Sequence, residues 1–210
     1  MESGISEQGG VLAPFLSIWF RPRQTLRNLL QTDPNRLVIP LAMLAGIARA
    51  FTRSASRGIS EALSLPMILM IVVVGGAGVG ILMLYVGSIL FRWTGRWLGG
   101  KATSAELRTA FAWSSVPSIP ALVLIAISLG VFGKDYFMAD SPSAESHPFV
   151  ILATLALMVV LGIWKLVLTV KCVGEAHRFS DLRSIASLLA GALVVGVPVL
   201  AIAGAFIALR

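Results

Sequence analysis

Four stretches of this chain contain no charged residue, and each is long enough to cross a lipid bilayer. A transmembrane helix needs roughly 18 or more apolar residues to span a hydrocarbon core of about 30 Å. Lipid offers no hydrogen-bond partners, so such a segment must satisfy its own backbone as a helix. The four stretches are Ala62–Phe91, Thr109–Gly133, Ser146–Trp164 and Ser184–Leu209.

The composition supports a membrane protein and excludes several soluble classes. Charged residues make up 13 % of the 210 residues, and the mean hydropathy is +0.88. Soluble domains carry about 25 % charged residues, so a soluble fold could not cover this much apolar surface. The single Cys172 cannot form an intramolecular disulfide, and one thiol is too few for a structural metal site.

A fifth span is predicted from a weaker segment. Leu37–Ala48 is only twelve residues long and lies between Arg36 and Arg49. Asp33-Pro34 offers a helix N-cap followed by proline at the first helical position. A helix from Pro34 to about Thr52 is long enough to span if the Arg49 side chain snorkels outward.

The distribution of basic residues favours five spans over four. With five spans and the N-terminus inside, eleven basic residues lie on the inner side and four on the outer side, whereas four spans would give about nine against seven. The positive-inside rule therefore predicts a cytoplasmic N-terminus and an outer C-terminus. The inner eleven are Arg21, Arg23, Arg27, Arg36, Arg92, Arg96, Lys101, Arg108, Lys171, Arg178 and Arg183, and the outer four are Arg53, Arg57, Lys134 and Arg210.

The predicted fold class is all-α, a polytopic membrane protein with five transmembrane helices and an interfacial N-terminal amphipathic segment. Residues 1–10 form a polar tail without the basic start of a signal peptide, so we expect no processing. Residues 11–32 interleave apolar and basic side chains, which suits short helices in the membrane interface or packed against the cytoplasmic end of the bundle. The membrane domain covers 33–210, with spans at about 34–52, 66–91, 109–132, 148–170 and 184–208.

Glycines and prolines predict how the spans pack. Gly76 and Gly80 are four residues apart and Gly87 falls near the same helix face, which forms a small-residue ridge for close helix contact. The ridge could face another span or another copy of the chain. Pro117, Pro120 and Pro198 are expected to kink their helices, either to open a cavity for transport or only to shape packing.

Beyond their first turns, the five predicted spans contain no Asp, Glu, His, Asn or Gln. Coupled carriers and intramembrane enzymes need such groups, so we expect no catalytic residue, no cofactor and no metal.

Thr103 and Glu106 form a capping-box pattern at the start of the third span. Lys165 lies six residues before Lys171, about 9 Å along a helix. It either snorkels to the headgroups or points inward to hold a lipid phosphate or a substrate anion.

Three segments together resemble the Yip family (Rab/Ypt-interacting proteins) in its shorter bacterial form. They are WFRPRQT at Trp19–Thr25, LGGKAT at Leu98–Thr103 continuing through ELRTAFA at Glu106–Ala112 to SSVP at Ser114–Pro117, and GEAHRFS at Gly174–Ser180. The resemblance covers nearly the whole chain and implies a five-span helical fold with a cytoplasmic N-terminus. Eukaryotic relatives engage Rab GTPases. This chain lacks their long hydrophilic N-terminal region and their Asp-Leu-Tyr-Gly-Pro signature, so a Rab partner is not expected.

The preferred functional prediction is a non-enzymatic protein of the bacterial inner membrane that organises membrane or protein partners through a basic cytoplasmic face. The alternative is a small transporter or a lipid-handling, scramblase-like protein. We expect anionic membrane lipids as partners, with a membrane protein or a second copy as a further partner, and no nucleic acid, because the basic clusters lack interleaved aromatic residues. The candidate lipid or partner contacts are Lys165, Arg92, Arg96, Lys101, Arg108, Glu175 and Arg178.

Overall fold

The computed structural model describes residues 12–55, 63–138 and 147–208, and within these ranges the chain forms helices and no strand. The predicted polar tail at 1–10 lies outside the described residues, as do Arg57, Arg210 and positions 139–146. The helices are α1 (Leu12–Phe20), α2 (Pro22–Thr32), α3 (Val38–Ala55), α4 (Leu65–Trp97), α5 (Ser104–Ser114), α6 (Ser118–Phe132), α7 (Pro148–His177) and α8 (Asp181–Ala208). A 3-10 helix, Gly133–Phe137, follows α6.

Five segments are long and apolar enough to cross a membrane, which confirms the predicted fold class. They are Val38–Ala55, Leu65–Trp97, Ser118–Phe137, Pro148–His177 and Asp181–Pro198. Their order alternates direction, so the start of α3, the ends of α4 and α7 and the start of α8 share one end of the bundle. The α2 and α5 helices pack at that same end against α7, and α1 packs there against α2.

The first span begins later than the predicted start at Pro34. The Asp33 carboxylate accepts a hydrogen bond from the Asn35 backbone N–H (3.2 Å), which closes a turn instead of capping a helix. Leu37 then adopts a left-handed conformation with φ of 55°, which a helix cannot continue through. The span therefore runs from Val38 to Ala55, and its 18 residues measure about 27 Å.

The third predicted span, 109–132, is divided between two helices. The capping box is present, with Thr103 accepting from the Glu106 backbone N–H and Glu106 accepting from the Thr103 N–H, but the helix that it starts ends at Ser114. Pro117 stands in the turn after α5, and Pro120 occupies the first turn of α6, where missing N–H groups cost little. The prolines therefore separate two helices instead of bending one. Pro198 lies inside α8.

The core is divided into two clusters, one at each end of the bundle. The larger cluster joins α1, α2, α5 and the end of α7 through fully buried side chains such as Leu26, Leu107 and Trp113. Hydrogen bonds also tie α5 to the turn before α3, from Thr109 to the Pro34 carbonyl and from Trp113 Nε1 to the Arg36 carbonyl (3.1 Å). The smaller cluster joins α3, α4, α6 and the 3-10 helix, and includes Phe51, Ile68, Val72, Ile125 and Phe137.

Backbone contact between α3 and α4 holds the middle of the bundle. A Cβ at Gly46 would overlap the backbone of Gly76 and Gly80, and a Cβ at Gly80 would overlap the carbonyl oxygen of Ala42. Small residues are what allow two helices to approach this closely in lipid. Of the three glycines in the predicted ridge, Gly76 and Gly80 face α3, whereas nothing lies within 4 Å of a Cβ at Gly87.

Candidate functional site

The end of the bundle that holds α1, α2 and α5, here called the basic end, carries a large excess of positive charge. Its eleven basic residues are those predicted for the inner side. The described acidic residues at this end are Asp33, Glu106, Glu175 and Asp181. Because α4 and α7 contain 33 and 30 residues, they measure about 50 Å and 45 Å and extend beyond a hydrocarbon core of about 30 Å. Their last turns therefore form the walls of the basic end.

All four of these acidic side chains are engaged within the protein. Asp33 and Glu106 accept from backbone N–H groups in the turn and the capping box described above. Glu175, whose side chain is only 11 % exposed, and Asp181 form ion pairs with basic residues. The acidic groups are thus already used, and most of the basic excess is left for groups outside the chain.

An ion-pair cluster fastens α2 to the turn between α7 and α8. The Arg23 guanidinium bonds to Asp181 Oδ1 (2.7 Å) and to the Phe179 carbonyl (3.0 Å), and lies 3.5 Å from Glu175 Oε2. Arg27 Nε donates to Glu175 Oε1 (2.7 Å), and Lys171 pairs with the other oxygen of Asp181. The hydrogen bond from Arg27 to Glu175, with the carboxylate charge, raises the pKa of Arg27 above its ordinary value.

His177 shapes the same turn from inside. Its imidazole is buried and stacks on Phe179 with ring centroids 5.0 Å apart, and its Nε2 lies 3.2 Å from the Phe91 carbonyl. A Cβ at Gly95 or Gly100 would overlap the ring, so these glycines make the space that it fills. Arg178 then ends α7 in a left-handed conformation with φ of 60°. The GEAHRFS motif therefore builds the turn that receives α2.

The predicted contact residues occupy four different environments. Arg96, Lys101 and Arg178 are exposed at the basic end. Arg108 and Arg92 are half-buried: the Arg108 guanidinium lies 4.9 Å from the centre of the Tyr85 ring, and Arg92 Nε is buried without a hydrogen-bond partner in the described part of the chain. Glu175 belongs to the ion-pair cluster, and Lys165 lies in a cavity inside the spans.

Exposed aromatic side chains border the basic end. Trp93 and Trp97 on the last turns of α4 are 54 % and 57 % exposed, and Phe20 at the end of α1 is 86 % exposed. Tryptophan is enriched at membrane interfaces because its ring is apolar while its N–H stays near water. Arginines beside tryptophans are the combination expected where a helix end meets the lipid headgroups, so the basic end fits that location.

A cavity of about 630 Å³ opens between α3, α4, α5, α7 and α8. Its lining is mostly apolar, but it contains two cations, Arg49 from α3 and Lys165 from α7. Lys165 Nζ lies 3.3 Å from Ser118 Oγ, and the exposed side chain of Arg49 lines the same cavity. Gly87 also lines this cavity. A cation at the centre of a transmembrane helix costs about 2.5–3.5 kcal/mol on insertion scales, so two of them need an explanation.

Sequence reasoning missed several of these residues. The ion pairs of Arg23 with Asp181 and of Arg27 with Glu175 join positions more than 140 residues apart, and no local pattern marks them. Arg49 is identified from the sequence only as a residue that could snorkel, although an arginine inside a predicted span is a usable signal. In the described part of the chain, no group of three or more His, Cys, Asp or Glu side chains could hold a metal ion.

The comparison with known families agrees with this architecture. The family model of the Yip1 domain matches residues 16–203, which is most of the chain and includes all five spans and the ion-pair cluster. No match to the chain is found among curated proteins or among solved structures. A family model that covers this much of the sequence, together with the five-span helical fold, shows that the chain is an integral membrane protein of the Yip1 domain family.

Proposed function

We propose that this protein is a non-enzymatic organiser of the membrane that gathers anionic lipids at its basic end, in a bacterial inner membrane with its N-terminus in the cytoplasm. The observation that carries the proposal is the surplus of basic residues at one end, where each described acidic side chain is already engaged within the protein. A basic residue near an anionic membrane surface contributes about 1 kcal/mol of attraction. Several exposed residues acting together would favour anionic lipids strongly.

The positions of the exposed cations support the same function. Arg96 lies between Trp93 and Trp97 in the sequence and Lys101 lies four residues after Trp97, so positive charge lies near interfacial aromatic rings. Arg178 belongs to the turn that receives α2. Cations at this depth lie within a Debye length, about 8 Å at physiological ionic strength, of the lipid phosphates, and added salt weakens their attraction.

Quenching of tryptophan fluorescence by brominated lipids tests this proposal. The full chain is reconstituted into vesicles containing brominated phosphatidylglycerol or brominated phosphatidylcholine at equal mole fraction. All measurements use a Trp164→Phe background, because Trp164 in α7 is also 37 % exposed, so that Trp93 and Trp97 report which lipid surrounds the basic end. We expect stronger quenching by the brominated anionic lipid at low salt, and a smaller difference between the two lipids at high salt.

A matched pair of variants separates local charge from overall charge. The triple variant Arg96→Ala/Lys101→Ala/Arg178→Ala should lose most of the preference for the anionic lipid, because it removes three exposed cations beside the reporting rings. The control Lys134→Ala, at the other end of the bundle, should keep it. Equal quenching by both lipids in the wild type, or an unchanged preference in the triple variant, would refute the proposed function.

The cavity favours a second candidate function, lipid handling. An apolar cavity with two cations inside the spans is a feature that a lipid-moving protein would use. Proteoliposomes with a fluorescent lipid measure whether the chain accelerates scrambling over protein-free vesicles. If it does, Lys165→Ala should slow it and Pro117→Ala, which alters the break between α5 and α6, should change it. Wild-type activity no faster than that of protein-free vesicles would dismiss this function.

A further inference from the structure

Within the part of the chain that the structure describes, the two cations of the cavity have no anionic partner. The residues that line it come from five helices, and the described lining contains no Asp or Glu. The hydrogen-bond contact of Lys165 Nζ is the neutral hydroxyl of Ser118. Arg49, which is exposed, and Lys165, which is half-buried, therefore place two positive charges along one cavity within the spans, where an anion between them would relieve their mutual repulsion.

The walls of the cavity are apolar and reach the lipid-facing surface. The lining residues Met83 and Val86 on α4, Leu166 on α7 and Val195 on α8 are each about half or more exposed. In a membrane those exposed faces meet acyl chains. A ligand that enters between these helices is thus surrounded by hydrocarbon along its length and by positive charge at one place.

We propose that this cavity binds one anionic phospholipid, with its phosphate held between Arg49 and Lys165 and its acyl chains along the apolar wall. The guanidinium presents a planar fork that fits phosphate oxygens, and the lysine adds a point charge from the opposite helix. A soluble anion would satisfy the two cations but would leave the apolar wall empty. A lipid satisfies both, and the volume of about 630 Å³ lies within the ordinary range of ligand pockets.

This site is separate from the basic end. Arg49 and Lys165 lie within the spanning parts of α3 and α7, whereas the proposed organising residues, Arg96, Lys101 and Arg178, are exposed at the ends of helices. The inference therefore does not rest on the proposed function. Each site can fail its test without affecting the other.

Native mass spectrometry of the delipidated full chain tests the site. The protein is titrated in detergent with phosphatidylglycerol and, separately, with phosphatidylcholine. We expect one phosphatidylglycerol to bind more tightly than any later one and more tightly than phosphatidylcholine. In Arg49→Ala/Lys165→Ala the affinity for that first lipid should fall by about tenfold or more, because two charge-assisted contacts are lost.

Further variants keep the result decisive. Arg49→Lys/Lys165→Arg retains both charges and should keep the tight lipid, and Arg96→Ala/Lys101→Ala should keep it as well. If the double alanine variant does not fold, Arg49→Gln and Lys165→Met remove one charge each at similar volume and should each weaken binding. Equal affinity for the two lipids, unchanged binding in folded charge-removal variants, or displacement of the lipid by glycerol phosphate at a similar concentration would overturn the proposal.

Discussion

Replacing Gly80 with alanine tests whether α3 and α4 pack through backbone contact. A Cβ at this position would overlap the carbonyl oxygen of Ala42 and lie 3.0 Å from the Cα of Gly46. Both are backbone atoms, so the clash is relieved only if the two helices move apart and lose contacts along their length. Overpacking of this kind costs about 1–3 kcal/mol. Alanine recovers at most about 1 kcal/mol through its better helix propensity.

Because the clash is with backbone atoms, the upper end of the overpacking cost applies, and we expect Gly80→Ala to lower the free energy of unfolding by about 2 kcal/mol, which is that cost of about 3 kcal/mol less the propensity gain of about 1 kcal/mol. The measurement is reversible unfolding in mixed micelles, followed by circular dichroism and extrapolated to zero denaturant. The matched control is Gly78→Ala on the same helix, where nothing lies within 4 Å of a Cβ. That variant should be neutral or slightly stabilised. If Gly80→Ala is as stable as Gly78→Ala, the inference that α3 and α4 pack through backbone contact is wrong.

Three further predictions concern the basic end. Glu175→Gln removes the charged partner of Arg27, so trypsin should cut α2 several-fold faster than in the wild type at low salt, and at nearly the wild-type rate at high salt. A cleavage rate equal to that of the wild type at low salt would contradict the ion pair. Gly95→Ala should lower the free energy of unfolding by about 1–3 kcal/mol, because its Cβ crowds the imidazole of His177. Adding His177→Ala should recover part of this loss. Strictly additive losses in the double-mutant cycle would exclude the contact. Thr103→Ala should lower the free energy of unfolding by about 0.5–2 kcal/mol, because it removes the cap of α5. An unchanged free energy of unfolding would show that the cap does not stabilise the protein.

Hydropathy and charge are enough to predict the number of spans. The four charge-free stretches are so long that only a helix in lipid accommodates them, and the asymmetry of basic residues identifies the fifth. Both signals are properties of segments, and they do not depend on which segment packs against which. Helix ends are less predictable: the positive φ of Leu37 shifts the first span to Val38, and the turn before Pro117 divides the third.

The candidate site shows the same division. The basic character of one end follows from composition and topology, so exposed residues such as Arg96 and Lys101 can be identified from the positions of the spans alone. The ion pairs at this end cannot be identified in this way, because Arg27 and Glu175 are 148 positions apart and no local pattern links them. The sequence predicts Glu175 as a lipid or partner contact, and the structure pairs it with Arg23 and Arg27 of α2.

The sequence by itself determined that this chain is a five-span helical membrane protein with a basic end, because burial in lipid and the transfer of charge act on each segment separately. Only the tertiary structure decided which of those charges remain available. It neutralises Arg23 and Arg27 against the turn after α7, and it brings Arg49 and Lys165 from two distant helices into one cavity. Such pairings depend on close helix contact, through glycines such as Gly46 and Gly80, which distances along the chain do not reveal.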